Sequence, residues 1–415
     1  MKKVGKGAQA NATWLIALCW LVYCCSYIGK VNYSANINEV MAYYHVDHSE
    51  AGLVSTFFFF AYGVGQIVNG LLCGKYNVRW MIFIALCVSG VVNLTIALTK
   101  SFTLVKYLWL VNGFSLSILW PTLIRFLSEQ VSREEMPKAS VVMGTTVAVG
   151  TFFIYGLSAL FVKFFHFKLA FWTAAIVLPV IGCVWQIFYP MLAKNTVNEE
   201  IAETVRLPEE TKQTRPRGKM AKDVFVVICL LAFFAVATNL IKDGLSTWVP
   251  SILKEKYGVS NSLSIVLTLL LPALSVFGNV MAVQFHKKIS DYVGLCAVLF
   301  IVGGVFIAGI IGLLSTTYVA VTLVCFAIVS MFISSSNSVI TSIFPLFMKG
   351  KVNSGLIAGI LNGFCYLGSM ISSYGLGAIA DAWGWSVVFW VLFAICVLVV
   401  AIACIYGICK KIKNR

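Results

Sequence analysis

Twelve times along the chain a mostly apolar window of roughly 19 or more residues recurs. These windows begin near Trp14, Ala51, Trp80, Tyr107, Ala139, Leu169, Val224, Ser262, Tyr292, Tyr318, Gly355 and Ser386. Each is long enough to cross a hydrocarbon core of about 30 Å at about 1.5 Å per residue. Inside such a core a backbone has no water to bond, so the windows must close their own hydrogen bonds as helices. The fold class expected is therefore all-α, with twelve transmembrane helices and both termini on one side. Composition agrees, since 60% hydrophobic and 11% charged residues leave too little polar surface to solvate a globule.

Charge fixes the side. With the N-terminus in the cytoplasm, six of the 31 basic residues fall on the opposite loops (Lys100, Lys106, Lys163, Lys168, Lys254, Lys256), two lie within helices, and the rest are cytoplasmic. That asymmetry is the positive-inside pattern. It predicts a multi-pass protein of the cell membrane with both termini cytoplasmic. The net charge of +15 is then a topology signal in a lipid bilayer and not a nucleic-acid footprint, because no basic patch is interleaved with aromatics. Met1 to Lys6 carries three lysines, but no small-residue cleavage site follows, so the first window reads as a retained helix.

The thirteen cysteines lie in or beside the apolar windows without a C-x-x-C pair, and read as packing residues. The four histidines, His45, His48, His166 and His286, read as exposed loop residues. No metal or cofactor is expected. No window holds a Ser/His/Asp or paired-carboxylate arrangement, so an enzyme is not expected either.

One long polar segment, 194–222, mixes five glutamates with lysines, arginines and two prolines, and reads as a flexible cytoplasmic linker. It separates residues 1–193 from 223–415, six windows in each. The halves echo each other: Lys30 lies 16 residues after Trp14, and Lys242 lies 18 after Val224. Two pseudo-symmetric six-helix bundles with a midplane site are the layout of alternating-access transporters. A chain holding a whole pathway is expected to be a monomer.

A cation in hydrocarbon costs about 3 kcal/mol on insertion scales, so Lys30 and Lys242 are candidates for binding an anion. Polar residues accompany them at helical spacing: Tyr23, Tyr27, Lys30 and Ser34 in the first window; Tyr62, Gln66 and Asn69 in the second; Asn239, Lys242 and Ser246 in the seventh. Ser330, Ser334, Asn337 and Thr341 form a stripe in the tenth, and Asn362, Tyr366, Ser369 and Ser373 in the eleventh. The competing reading is structural. Such residues also hydrogen-bond neighbouring helices, and the lysines could snorkel to an interface. For Lys30, a long first helix continuing to about Tyr44 favours mid-depth. Asp243 points about 100° from Lys242 and need not be its partner. A structural pairing with another helix and a proton-carrying role stay equally open for it.

The segment from Gly113 through Trp120-Pro121 to Arg125 resembles the fourth-helix G-x-x-x-G-x-x-W-P-x-x-x-R signature of the organophosphate:phosphate antiporters, within the major facilitator superfamily. Ser117 stands at the second glycine. Further likeness runs along the chain: Tyr23, Tyr27 and Lys30; Ala61-Tyr62-Gly63; Asn77-Val-Arg79; Lys242-Asp-Gly244 with Trp248 and Pro250; Gly363, Tyr366-Leu-Gly368, Asp381 and Gly384-Trp385. The resemblance implies the major facilitator fold and a phosphorylated metabolite exchanged for phosphate. The implied substrate contacts are Lys30, Lys242, Tyr23, Tyr27, Tyr62, Gln66, Trp120, Asn239, Asn362 and Tyr366, with Asp243 a coupling candidate.

This chain departs from the family at informative places. Both arginines that clamp phosphate in the family are lysines here, compact charges without a bidentate fork. The stretch Tyr27 to Ser34 and Gln66 are also similar to related sugar-acid symporters, with Gly29 at their aspartate. Gly74 replaces the aspartate of the superfamily's inward-side latch, leaving Lys75 and Arg79. The alternatives are thus a proton-coupled symporter for a sugar carboxylate and, in another class, a non-transporting sensor on the same fold. A drug exporter gives no reason for two buried cations.

Overall fold

A computed structural model describes residues 6–72, 76–131, 135–193, 222–347 and 354–413. The hydropathic windows become helices that start within a few residues of the expected places. Among the described residues, eleven helices are long and apolar enough to cross a membrane. The window expected near Gly355 falls on a further helix of 30 residues, Ser354–Trp383. Residues 194–221 of the expected linker, and Gly74 and Lys75 of the expected latch, lie outside the described residues.

Proline explains where several passages break. Pro121 offers no N–H to the Ser117 carbonyl, and the fourth passage splits there into Phe102–Ser117 and Leu119–Gln130. Pro272 does the same to the eighth passage, which splits into Asn261–Thr268 and Leu270–Lys288. In the tenth, Val319–Ser338 widens into a π turn at Val339–Ile343 immediately before Pro345.

The first passage breaks without a proline. Lys6–Ser26 runs into a tight 3-10 turn at Tyr27–Gly29, then Asn32–Ala35 and Ile37–Tyr44. It thus reaches Tyr44 as the sequence suggests, with Lys30 at the break. A freed carbonyl in a membrane interior needs a partner. The Asn112 side-chain amide supplies it, donating to the Gly29 carbonyl at 2.7 Å. Ser89 donates to Asn112 at 2.6 Å, and Asn32 donates to Asn93 at 2.8 Å. The network fills the space around Gly29, where a Cβ would come within 2.6 Å of Leu178 Cδ1.

The chain forms two compact units. The first comprises the described residues within 1–32, 61–157 and 165–217, and the second those within 33–60, 158–164 and 218–415. In the first, the helices Val78–Leu98 and Lys168–Ala193 are tied at one end: the Arg79 guanidinium donates to the Gln186 carbonyl at 2.7 Å, and the Trp185 indole donates to the Arg79 carbonyl at 3.1 Å. Asn77 caps the former helix by accepting the Arg79 N–H.

In the second unit, small residues let backbones approach closely. A Cβ on Gly368 would overlap the Val236 carbonyl, so the eleventh helix lies directly on the seventh, Lys222–Tyr257. Residues 33–60 join this unit through the Asn38 side chain, which accepts from Ser251 at 2.6 Å, and through Thr56, which donates to the Met370 carbonyl at 3.0 Å.

Candidate functional site

The first unit gathers one set of the expected side chains around Lys30. Its ammonium lies 4.1 Å from the centroid of the Tyr62 ring and 5.1 Å from that of Tyr27. Tyr27 meets Tyr23 edge-on at 5.6 Å, and Tyr23 lies 4.7 Å from Trp120. The three tyrosines are buried, while Lys30, Gln66 and Trp120 are half-buried. Ring faces carry negative potential, so they hold an ammonium at about 0.5–2 kcal/mol without neutralising it. The break at Tyr27–Gly29 puts Lys30 beside these rings.

The second unit arranges its polar residues differently. Lys242 Nζ lies 3.4 Å from the Asp243 carboxylate, and Ser369 of the eleventh helix donates a short hydrogen bond to the same carboxylate. Asp243 therefore is a partner of Lys242, contrary to the divergence that helical geometry suggests: the long lysine stem reaches round the helix. Asn239 is buried and donates to Asn337 at 3.1 Å, which ties the seventh helix to the tenth. Cys365 donates to Asn337 as well, at 3.5 Å. Asn362 and Tyr366 are half-buried on the eleventh helix. Gly244 lets that helix close in, since a Cβ there would lie 2.6 Å from Leu376 Cδ1.

A third cluster was not expected. His48 is not an exposed loop residue: it opens the helix His48–Leu72, and its side chain is 17% exposed. Its Nδ1 lies 2.6 Å from Asp381 and its Nε2 2.7 Å from Glu255. Asp381 also accepts the backbone N–H groups of His48 and Ser49, at 3.1 and 2.7 Å, and so caps that helix from the eleventh. Trp385 donates to the second oxygen of Glu255 at 2.7 Å, and Trp248 packs 5.4 Å from the imidazole. The resemblance had marked Asp381, Trp248 and Trp385, but nothing in the sequence linked them to His48 or Glu255. His286, too, lies in a helix and not a loop, stacked on Tyr292 at 4.9 Å. Among the described residues there is no group of three or more side chains fit to hold a metal ion.

The geometry of a multi-helix protein with buried polar clusters agrees with the family comparison, in which the model for the Major Facilitator Superfamily matches residues 19–356. The chain belongs to the Major Facilitator Superfamily. It is accordingly a multi-pass membrane protein of a transporter family and not an enzyme. Curated relatives in the superfamily include the membrane sensor protein UhpC of Escherichia coli (strain K12), 22% identical over 88% of this chain and 85% of its own. A probable hexose phosphate transport protein of Chlamydia trachomatis is 22% identical over 92% of this chain and 88% of its own. A hexuronate transporter of Bacillus subtilis (strain 168) is 22% identical over 69% of each chain. These relatives match the resemblance to organophosphate:phosphate antiporters. Among solved structures, a bacterial homologue of the human lysosomal transporter Spinster, inward-facing and unoccupied, aligns with a TM-score of 0.74 over 95% of this chain and 96% of its own. At 12% identity it establishes the major facilitator fold alone.

Proposed function

We propose that the protein is a secondary transporter of a small organic anion, foremost a phosphorylated sugar exchanged for phosphate, working by alternating access. The observation that carries this reading is the Lys30 ammonium set against the faces of Tyr27 and Tyr62. An ammonium held among ring faces offers an arriving anion a partly desolvated positive charge. The names of the chlamydial relatives support a hexose phosphate as that anion. Lys242 is the second proposed cation, with Tyr23, Gln66, Trp120, Asn239, Asn362 and Tyr366 as further contacts for hydroxyl groups and the sugar face. Binding of the anion on one side of the membrane and its exchange on the other complete the proposed cycle. The distribution of basic residues supports cytoplasmic termini in the cell membrane, and the proposed working form is a monomer.

The Lys242–Asp243 pair favours a second reading, a sugar carboxylate carried with a proton. Asp243 offsets one of the two cations, leaving a net charge suited to a monoanion, and its protonation would release Lys242. Counterflow in sealed liposomes separates these readings from a sensor. Phosphate-loaded vesicles should exchange labelled hexose phosphate, with exchange lost in both Lys30→Ala and Lys242→Ala. Uptake of a hexuronate driven by an imposed proton gradient selects the second reading. Ligand binding without exchange of label selects a sensor.

A further inference from the structure

We propose that His48, Glu255 and Asp381 form a proton-binding latch, occupied when the helix His48–Leu72 is fastened to the seventh and eleventh helices and released when the proton leaves. Both ring nitrogens of His48 lie within hydrogen-bond reach of carboxylate oxygens, 2.6 and 2.7 Å away. Carboxylate oxygens only accept, so both nitrogens must carry hydrogen, or one carboxyl must be protonated. In either case the arrangement holds one proton more than a neutral imidazole between two carboxylates. Take that proton away and one ring nitrogen turns its lone pair toward an oxygen under 3 Å distant, a contact that repels.

The residues around the ring decide which contact parts. Asp381 is fixed by two backbone N–H groups as well as by the imidazole. Among the described residues Glu255 is hydrogen-bonded by the Trp385 indole besides His48, and its side chain is 37% exposed. The remaining N–H therefore stays on Nδ1 toward Asp381, and Glu255 swings away. The other charged groups nearby are Asp47 and Glu50 on the histidine's own turn and Lys254 beside Glu255. Asp47 is engaged by Ser49 and by the Glu50 N–H, at 2.8 Å each. None of these stands between the ring and its two carboxylates.

The helices that the latch joins meet at close range. A Cβ on Gly52 would overlap the Ser373 carbonyl, and one on Gly377 would lie 2.6 Å from the His48 carbonyl. The contact is backbone against backbone, with the three-residue proton site at its rim. The side chains of the site are 17–37% exposed, so it exchanges protons with water directly. It acts whatever the transported anion is.

The test uses the full-length protein in nanodiscs, labelled in its four histidines with nitrogen-15, with the His48 signal assigned by its absence from His48→Gln. The His48 resonance should titrate, and its midpoint should shift in Glu255→Gln. Glutamine can donate to a neutral imidazole, so Glu255→Gln should hold the latch shut at every pH. Amide exchange of residues 44–60, compared between wild type and Glu255→Gln at equal pH, should match near pH 5.5. Near pH 8.5 the wild type should exchange about tenfold faster, the equivalent of one charge-assisted hydrogen bond. A His48 resonance that does not titrate, or an exchange ratio equal at both pH values, overturns the proposal. Should Glu255→Gln fail to fold, the wild-type titration alone decides.

Discussion

The carboxylate of Asp243 lies 3.4 Å from the ammonium of Lys242, its immediate neighbour in the chain. Their side chains are 20% and 26% exposed, so after solvent screening the attraction is about 1 kcal/mol. An arriving anion must compete with Asp243 for that cation. Asp243→Asn should therefore bind inorganic phosphate about fivefold more tightly, and Lys242→Ala more weakly than wild type. Isothermal titration calorimetry in detergent measures both. Equal affinity in all three proteins would show that Lys242 does not touch the anion.

The Tyr62 ring bears the closest aromatic contact with Lys30. Tyr62→Phe keeps the face and should leave both folding and anion affinity near wild type. Tyr62→Leu removes the face and should cost about 1 kcal/mol of stability, seen as a lower Tm. A Phe variant as impaired as the Leu variant would point to the hydroxyl instead of the ring.

The break in the first passage depends on Asn112. Asn112→Ala strands the Gly29 carbonyl in the membrane interior and should cost about 1–3 kcal/mol, read as a fall in Tm. Gly29→Asp should fare worse. Even a Cβ at that position crowds Leu178, Ser89 and Asn93, so the carboxylate of the sugar-acid symporters has no room here. Recovery of folded, monodisperse Gly29→Asp protein would overturn this account of the glycine.

Asp47 lies outside the membrane-spanning helices. The Glu50 backbone N–H bonded to its carboxylate, helped by the Ser49 hydroxyl, holds its pKa below the ordinary aspartate value. A depressed carboxylate contributes stability above its unfolded pKa of about 3.9 and loses it as pH falls through the folded value. The Tm difference between wild type and Asp47→Ala should thus be full at neutral pH and close below about pH 4. A difference that persists in acid would assign the loss to packing.

Helix placement was legible because hydropathy reads the membrane directly, and the breaks at Ile118 and Leu269 follow from Pro121 and Pro272. The break at Tyr27–Gly29 was not, since no local residue demands it. The carbonyl it frees is met by Asn112, more than eighty residues away. The stripe of Tyr23, Tyr27 and Lys30 survived that break, because one irregular turn moves the three only slightly relative to each other. The tenth-helix stripe fared differently. Ser330 bonds with Ser275 of the eighth passage, Asn337 is spent on Asn239, and Thr341 falls in the π turn, where the helical count no longer holds. His48 left no trace in the sequence, its partners being 207 and 333 positions distant.

The meeting of Gly52 with Ser373, and of Gly377 with His48, brings two helix backbones together beside the edge of the Trp248 ring. Such a surface has few rotamers to freeze when it closes, and its amides are already bonded within their own helices. Joined and parted forms then lie close in free energy, near a balance point where populations answer to small biases. A junction of close backbones is in this sense a sensitive scale, and whatever is weighed at its edge sets which way it tips.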